Sequence, residues 1–434
     1  MFLSLSIIGY ALLTWMGILA VLAALYSLYL GLVFDRKTSL RASGRRTGFK
    51  PRVTVIMPCK GAESNLERNM ESILKQDYGN YQTIVVTDSS DDPAWSTAAS
   101  LLARYPGANL RLCISKPATS TTASGKVTAL LTAIEQTKGQ AEVYAIIDSD
   151  AFVPGNWLAE LVNPLSDESI GATTGFRWYF PQGGFWSHVE AAWNASGTDV
   201  LFDERVNFIW GGGMAIRAET LDKIGIREIW AGAISDDMTL TSALKEHHYR
   251  IMFLPQCTVA TFNQTTMHRF LEWATRQTTL FFLNRRRKYR LATCIFHDLT
   301  FVLGIVALIL GAALNPTWSV PAALLLSGVI LGVLRNLQRT RTFERAMPQM
   351  KVEFERNRFA DAIVSSLIPW IMTYCIIKSA RIHEVEWRGR RHKLTGINHV
   401  ATPRSEKQIK LVPLRHFSAE AILRDCHTNL MPNC

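Results

Sequence analysis

Apolar and polar positions divide the chain into three regimes. Residues 7–34 form an unbroken apolar run, with no charged residue before Asp35, and the run exceeds the roughly 20 residues that a helix needs to cross a bilayer. From residue 53 the pattern becomes short β-rich runs separated by helical spacing. Strand-like 53–57 (VTVIM) is followed by Leu66, Met70, Ile73 and Leu74 at helical intervals. Strand-like 83–86 precedes a helix near 94–104, and strand 110–114, helix 126–136 and strand 143–147 follow. This βαβα order predicts a parallel sheet with helices on both faces, and such sheets bind ligands beyond the carboxyl ends of their strands. In the third regime, residues 299–334 carry no charge and are interrupted by Asn315-Pro316 and Pro321, which predicts a hairpin of two short spans. A last uncharged run of 16 residues, 362–377, contains Pro369. It is shorter than a comfortable span, and a re-entrant or interfacial segment is expected over a crossing one.

Composition supports a membrane component: 48% of the 434 residues are hydrophobic, and the mean hydropathy of +0.08 is high for a wholly soluble chain. The net charge of +11 suggests a nucleic-acid partner until its distribution is considered. Arg36, Lys37, Arg41, Arg45, Arg46, Lys50 and Arg52 follow the first span, and Arg285, Arg286, Arg287, Lys288 and Arg290 precede the next. Basic residues beside spans mark the cytoplasmic side, so no nucleic acid is expected. The domains read as a 1–34 N-terminal anchor, a 50–290 cytoplasmic domain, 297–380 membrane segments and a 381–434 basic cytoplasmic tail containing Arg388, Arg390, Arg391 and Lys393. The first run lacks a basic n-region and is longer than a signal-peptide core of about 7–15 residues, so it is expected to be retained. Seven cysteines without CxxC spacing predict free thiols at Cys59, Cys113 and Cys257 in a reducing compartment.

Candidate chemistry gathers at the predicted strand ends. Strand 143–147 stops at Asp148-Ser149-Asp150. Two carboxylates one residue apart repel unless they share a cation, and their hard oxygens suit Mg²⁺ or Mn²⁺ carrying a substrate diphosphate; the plain alternative is a pair of solvated loop acids. After strand 83–86, Asp88, Asp91 and Asp92 are placed to accept hydrogen bonds from a nucleoside, or simply to cap a helix. Lys126 opens a helix after Gly125, where a lysine can bind phosphate, although Ser120 and Val127 break the P-loop pattern. A glycine turn, WGGGMAIR at 210–217, leads into a strand, and Asp236-Asp237 begin a helix, either as caps or as a general base beside an acid that holds it. Arg269, Trp273 and Arg276 lie on a helical stretch suited to a membrane boundary, and Phe185, Trp186 and Trp193 either extend that floor or are core.

Taken in order, these segments resemble the family 2 type of nucleotide-sugar glycosyltransferases and, more narrowly, the ceramide glucosyltransferase group. The resemblance rests on Asp91-Asp92-Pro93-Ala94, GKVTAL from Gly125, Asp148-Ser149-Asp150, the glycine turn, Asp236-Asp237, Arg269-Phe270-Leu271-Glu272-Trp273 and EWRGRRHKL at 386–394. It implies an α/β, GT-A type nucleotide-sugar-binding domain with N-terminal and C-terminal transmembrane helices. It also implies a UDP-sugar donor, a lipid acceptor such as ceramide, and inverting transfer of a sugar, glucose being expected. Asp237 and Asp236 would be catalytic; Asp88, Asp92, Lys126 and Asp148 would bind the nucleotide-sugar; and Asp148 and Asp150 would hold the Mg²⁺ or Mn²⁺. Arg269, Trp273 and Arg276 would face acceptor or diphosphate. The membrane would be a bacterial inner membrane, or Golgi in a eukaryote. Glu272 stands where the family pattern has arginine, and Arg276, one turn on, is the expected compensation. A processive polysaccharide synthase would need more spans than three or four apolar runs provide, and a non-catalytic scaffold would not need acids at all three positions.

Overall fold

The computed structural model describes residues 2–42, 47–61, 63, 65–116, 123–282, 287–313, 315–382, 384–387 and 390–393. Arg45, Arg46, Arg285, Arg286, Arg388 and the tail from 394 onward therefore lie outside the described residues. The first helix, α1 (Phe2–Ala42), leads into β1 (Val53–Pro58), α2 (Leu66–Leu74), β2 (Tyr81–Thr87), α3 (Pro93–Arg104), β3 (Leu110–Ile114), α4 (Gly125–Gln136) and β4 (Val143–Ile147). Next come α5 (Trp157–Val162), β5 (Ile170–Thr174), β6 (Arg177–Pro181), α6 (Phe185–Ala195), β7 (Gly213–Arg217), α7 (Ala218–Lys223), α8 (Ile226–Trp230), α9 (Asp236–Glu246), β8 (Arg250–Phe253) and β9 (Val259–Asn263). The chain continues through α10 (Met267–Phe282), α11 (Arg287–Ala313), α12 (Ser319–Ala346), α13 (Lys351–Val364) and α14 (Ile368–Ser379) to an antiparallel hairpin of β10 (Glu384–Trp387) and β11 (Arg390–Lys393).

Local chemistry accounts for the helix starts that flank the strand ends. Asp92 caps α3 by accepting from the Ala94 N–H, with Pro93 at the first helical position. Ser124 caps α4 and Ser235 caps α9 in the same manner.

The main sheet has the order β3-β2-β1-β4-β7-β5-β8. Alternate side chains of the central strands face opposite ways: Val53, Val55 and Met57 join Val143, Ala145 and Ile147 against α2, α3 and α5. Ile56, Tyr144 and Ile146 pack on the other side with α4, α8 and α9. The expectation of helices on both faces holds, but that of a wholly parallel sheet does not. β7 runs antiparallel to β4 and β5, and this reversal matters for the site. It sets Gly213, the start of β7, opposite Ile147, the end of β4, so that the glycine turn arrives beside the DSD segment. β6 and β9 form a separate parallel pair.

Among the described residues, four helical stretches are long and apolar enough to cross a membrane: Ile7–Thr38, Tyr289–Ala313, Pro316–Ala346 and Pro348–Ser379. The first carries a run of exposed Ile7, Leu12, Trp15, Leu19, Leu22 and Tyr26, the kind of apolar surface that a bilayer covers. The second and third form a hairpin joined by a turn at Pro316–Trp318, but at 25 and 31 residues they are longer than the two short spans expected, and Pro321 sits in the first turn of α12. The fourth reaches its length only by including α13, which carries Lys351, Glu353, Glu355, Arg356, Arg358 and Asp361. Its uncharged part, 362–377, has 16 residues, which as helix spans about 24 Å of a hydrocarbon core about 30 Å thick.

These helices are tied to the α/β part by an aromatic cluster. Phe34 of α1, Phe343 of α12 and Phe354 of α13 pack with Trp178 and Phe180 of β6 and Phe253 of β8. Nearby, Arg335 and Arg339 of α12 both hold Asp199, at 2.8 and 2.7 Å. Strand β6 thus packs Trp178 and Phe180 of one face on the membrane helices and, through Arg177 of the other, holds the DSD segment.

Candidate active site

Asp148 and Asp150 sit immediately beyond the end of β4, where the strand pattern put them. Their carboxylates converge on one atom: Nη2 of Arg177 donates to Asp148 Oδ2 at 2.8 Å and to Asp150 Oδ1 at 2.7 Å. Nη1 donates to Asp150 Oδ2 at 2.7 Å and to the Tyr179 hydroxyl at 3.0 Å. The expected repulsion between the two acids is thus relieved by a cation of the chain itself. Sequence reasoning passed over Arg177; the available signal was one arginine inside the aromatic run FRWYF. The Arg177 side chain is 11% exposed, stacks near the Trp210 ring at 5.1 Å, and has its backbone carbonyl held by Asn194.

Two carboxylate oxygens directed at one cationic point fit a hard divalent ion, which commonly takes one or two carboxylates and completes its shell with substrate phosphates and water. Among the described residues no group of three or more His, Cys, Asp or Glu side chains is arranged to hold a metal.

Lys126 is at the centre of the cluster rather than out on a phosphate-facing edge. Its Nζ donates to Asp148 Oδ1 at 2.9 Å and to the Gly211 carbonyl at 3.1 Å, and it forms an ion pair with Asp236 Oδ2 at 3.1 Å. With two hydrogen bonds and one ion pair, the ammonium ties β4, the glycine turn and α9 together. In the structure its contacts are these internal ones, to Asp148, Gly211 and Asp236. Burial disfavours its charge, but Asp148, Asp236 and Asp237 outweigh burial and hold the ammonium protonated.

The glycine turn is needed for close approach. A Cβ on Gly211 would run into the Asp236 carboxylate, and one on Gly212 into Asp148 and the Trp210 ring. Only bare backbone lets both acids lie against it.

The two acids at the start of α9 diverge. Asp236 is buried at 4% side-chain exposure and turns to Lys126; burial, with repulsion from Asp237 and Asp148, pushes its carboxyl up to about 6 against the pull of Lys126. Asp237 turns instead to the Ser235 hydroxyl, the Gly211 N–H at 3.2 Å and the Met238 N–H at 2.7 Å. The expectation that Asp236 holds Asp237 is therefore replaced. Successive helical residues do not face one another, and Ser235 and backbone amides orient Asp237.

The acids after β2 separate likewise. Asp92 accepts from the Ala94 N–H at 2.9 Å and the Gly61 N–H at 2.9 Å, the capping geometry expected as the alternative to nucleoside binding. Asp88 is exposed and pairs with Lys60 at 3.1 Å.

On α10, Trp273 meets Tyr179 edge-on at 5.7 Å and Trp193 at 5.0 Å. An aromatic wall thus runs from the Arg177 partner Tyr179 to Trp193, which packs with Met372 and Ile376 of α14. Trp186 stacks on Phe270 at 6.1 Å, while Phe185 is exposed. Arg269 is exposed and Arg276 half-buried; Glu272 faces His268 at 3.5 Å on the exposed side of the helix. Cys59, Cys113 and Cys257 are buried thiols outside any disulfide.

Glu190 of α6 was also missed. It is 4% exposed and accepts from Asn263 at 2.7 Å; burial pushes it up to about 7 against that bond and the nearby Arg177. A carboxyl that binds its proton more tightly folded than unfolded contributes stability fully below its ordinary 4.5, and loses it as pH rises through about 7. Glu190→Gln should consequently stabilise the fold at pH 8, by roughly 3 kcal/mol at most, raising the thermal midpoint there, and flatten the fall in stability between pH 4.5 and 7. Intrinsic-fluorescence melts across pH check this; a Gln variant with the wild-type slope would remove Glu190 as its source.

A family model described as Glycosyl transferase family 21 matches residues 13–398. Ceramide glucosyltransferase of Komagataella phaffii is 32% identical over 60 residues, which is 14% of this chain and 12% of that protein. Ceramide glucosyltransferase 3 of Caenorhabditis elegans is 21% identical over 253 residues, 56% of this chain and 52% of that one. The chain thus spans about half, or less, of the length of these curated relatives. Among solved structures, the mannosyltransferase PcManGT from Pyrobaculum calidifontis in complex with GDP-Man and Mn²⁺ aligns at 17% identity and a TM-score of 0.45, covering 85% of this chain and 99% of that one. GalNAc-T7 with UDP, GalNAc and Mn²⁺ aligns at 16% identity and a TM-score of 0.37, covering 50% and 44%.

Proposed function

This chain belongs to glycosyl transferase family 21, and on that premise we propose that it is a membrane-bound enzyme moving a hexose, glucose foremost, from a UDP-sugar to a lipid hydroxyl such as that of ceramide. One observation carries the reading: Asp237, the candidate base, is bonded to the same glycine turn that Lys126 ties to the DSD segment. Base and diphosphate site are then parts of one rigid cluster.

In this reading Asp237 removes the acceptor proton and the acceptor oxygen displaces the nucleotide in a single inverting step. The Ser235 hydroxyl and the Gly211 and Met238 amides fix the carboxylate for that task. Asp148 and Asp150 would hold Mg²⁺ or Mn²⁺, which supplies Lewis-acid stabilisation of the departing diphosphate. Asp88, exposed beyond β2, or Asp92 would meet uridine or ribose, and Lys126 would add positive charge on the phosphate side. Arg269, Trp273 and Arg276 line the acceptor side, with Arg276 replacing the charge that Glu272 removes.

A lipid acceptor loses about 0.8 kcal/mol for each CH₂ taken out of an apolar environment, so the site must come to the bilayer. The wall of Tyr179, Trp273 and Trp193 leading to α14 supports such an approach. The basic flanks support residues 50–290 on the cytoplasmic side, with 1–34 as anchor and α14 lying at the interface.

Membranes containing the protein, incubated with a panel of UDP-sugars and lipid acceptors with and without EDTA, test this. A single-sugar glycolipid formed only without EDTA is expected. Transfer that survives EDTA sinks the metal assignment, and long polymeric products would select a polysaccharide synthase instead.

A further inference from the structure

The Arg177 guanidinium occupies the point on which Asp148 and Asp150 converge. A divalent ion bound to those oxygens would need about 2.0–2.2 Å to each of them, inside the 2.7–2.8 Å at which Nη2 already sits. Ion and guanidinium therefore exclude one another. We propose that Arg177 is the resident counter-cation of the DSD pair, exchanged for the divalent ion when the donor diphosphate arrives, whereupon the guanidinium pairs with that diphosphate.

This rests on the reading of Asp148 and Asp150 as the metal–diphosphate pair and adds the order in which the site fills. Three observations support it. The fork is nearly fully used: four hydrogen bonds to Asp148, Asp150 and Tyr179 make a bidentate pair of the strong kind, in a side chain 11% exposed. Breaking such a pair with nothing to replace it leaves a buried charge uncompensated, so the metal alone competes poorly. A nucleoside diphosphate changes the balance, because its oxygens serve the incoming ion and the displaced guanidinium together. Second, Arg177 Nε is buried with no hydrogen-bond partner, a donor that the resting arrangement leaves unused and an anion can take. Third, the backbone of Arg177 is held in place, its carbonyl by Asn194 and its strand by pairing with β9. Exchange thus requires only the side chain to swing, with Tyr179 and the Trp210 ring as its walls.

Lys126 does not have this role. Its contacts tie Asp148 to Asp236 and Gly211, leaving Asp150 to Arg177.

Exchange makes metal and diphosphate binding reciprocal, since whatever diphosphate does for the metal the metal does for diphosphate. The test is Mn²⁺ binding by the full-length protein in detergent, read from the electron paramagnetic resonance of free Mn²⁺, with and without saturating UDP. Wild type should bind Mn²⁺ weakly alone and about 10-fold more tightly with UDP. Arg177→Gln should bind Mn²⁺ without UDP about 10-fold more tightly than wild type, and UDP should then add little. Equal Mn²⁺ affinity in the two proteins without UDP overturns the exchange while leaving the metal site standing. Absence of Mn²⁺ binding in both proteins, with and without UDP, overturns the exchange together with the metal reading. If Arg177→Gln does not fold, Arg177→Lys carries the same comparison. A single ammonium lacks the fork, so its nucleotide-free Mn²⁺ affinity must still exceed that of wild type, and equality again overturns the proposal.

Discussion

Asp237→Asn is expected to lower the rate of sugar transfer by about 10³-fold, within the range that a positioned general base contributes. UDP binding and thermal stability should change little. The carboxylate is half-buried and accepts from the Ser235 hydroxyl and from the Gly211 and Met238 amides. An asparagine keeps the shape and one acceptor oxygen, but loses the charge and cannot take the acceptor proton. Single-turnover transfer from a radiolabelled donor to lipid, beside a UDP-binding isotherm, separates chemistry from binding. A variant within threefold of the wild-type rate would remove Asp237 from the proton transfer. The rate should not be restored by Asp236, which turns away to Lys126.

The second large effect is structural as well as chemical. Asp148 joins both cations of the cluster, at 2.9 Å to Lys126 and 2.8 Å to Arg177, whereas Asp150 meets Arg177 across the fork. Asp148→Ala leaves two enclosed cations each short of an anion. Removing one partner of a buried pair costs about 3–5 kcal/mol; the low end applies, because the Asp148 side chain keeps 27% exposure. The thermal midpoint should fall by several degrees and transfer should be abolished. Asp150→Ala should abolish transfer with a smaller thermal penalty. Melting curves of the two variants side by side decide it: an Asp150 variant that is the less stable of the two would reverse the assignment of Asp148 as the hub.

Much of the α/β part was legible. β3, β4 and α2 fall on the residues that their spacing indicated, and α3 and α4 begin one residue early, at Pro93 and Gly125. Those segments are regular in apolar period and bounded by capping residues, so local propensity and burial agree. Legibility failed at β6. FRWYF has no polar alternation to mark a strand, because Trp178 and Phe180 pack on the membrane helices on one side while Arg177, beside Tyr179, meets Asp148 and Asp150 on the other. With the strand went its arginine.

The acids show the same division. Which residues carry charge is written in the chain: the DSD pair and Asp88 lie at strand ends and Asp236-Asp237 begin a helix, as read there. How each charge is used depends on what faces it. Asp92 closes a helix because Gly61 and Ala94 present amides, and Asp236 and Asp237 part company because adjacent helical side chains point about 100° apart.

By itself, then, the sequence determined the periodicities, the caps, the apolar spans and the positions of the acids, since each is a local property of neighbouring residues. Only the tertiary structure decided that β7 runs antiparallel, that its glycines meet Asp148 and Asp236, and that Arg177 and Lys126 neutralise them. Those partners come from 22 to 110 residues away in the chain. Electrostatic pairing depends on distance in space, which no local pattern encodes.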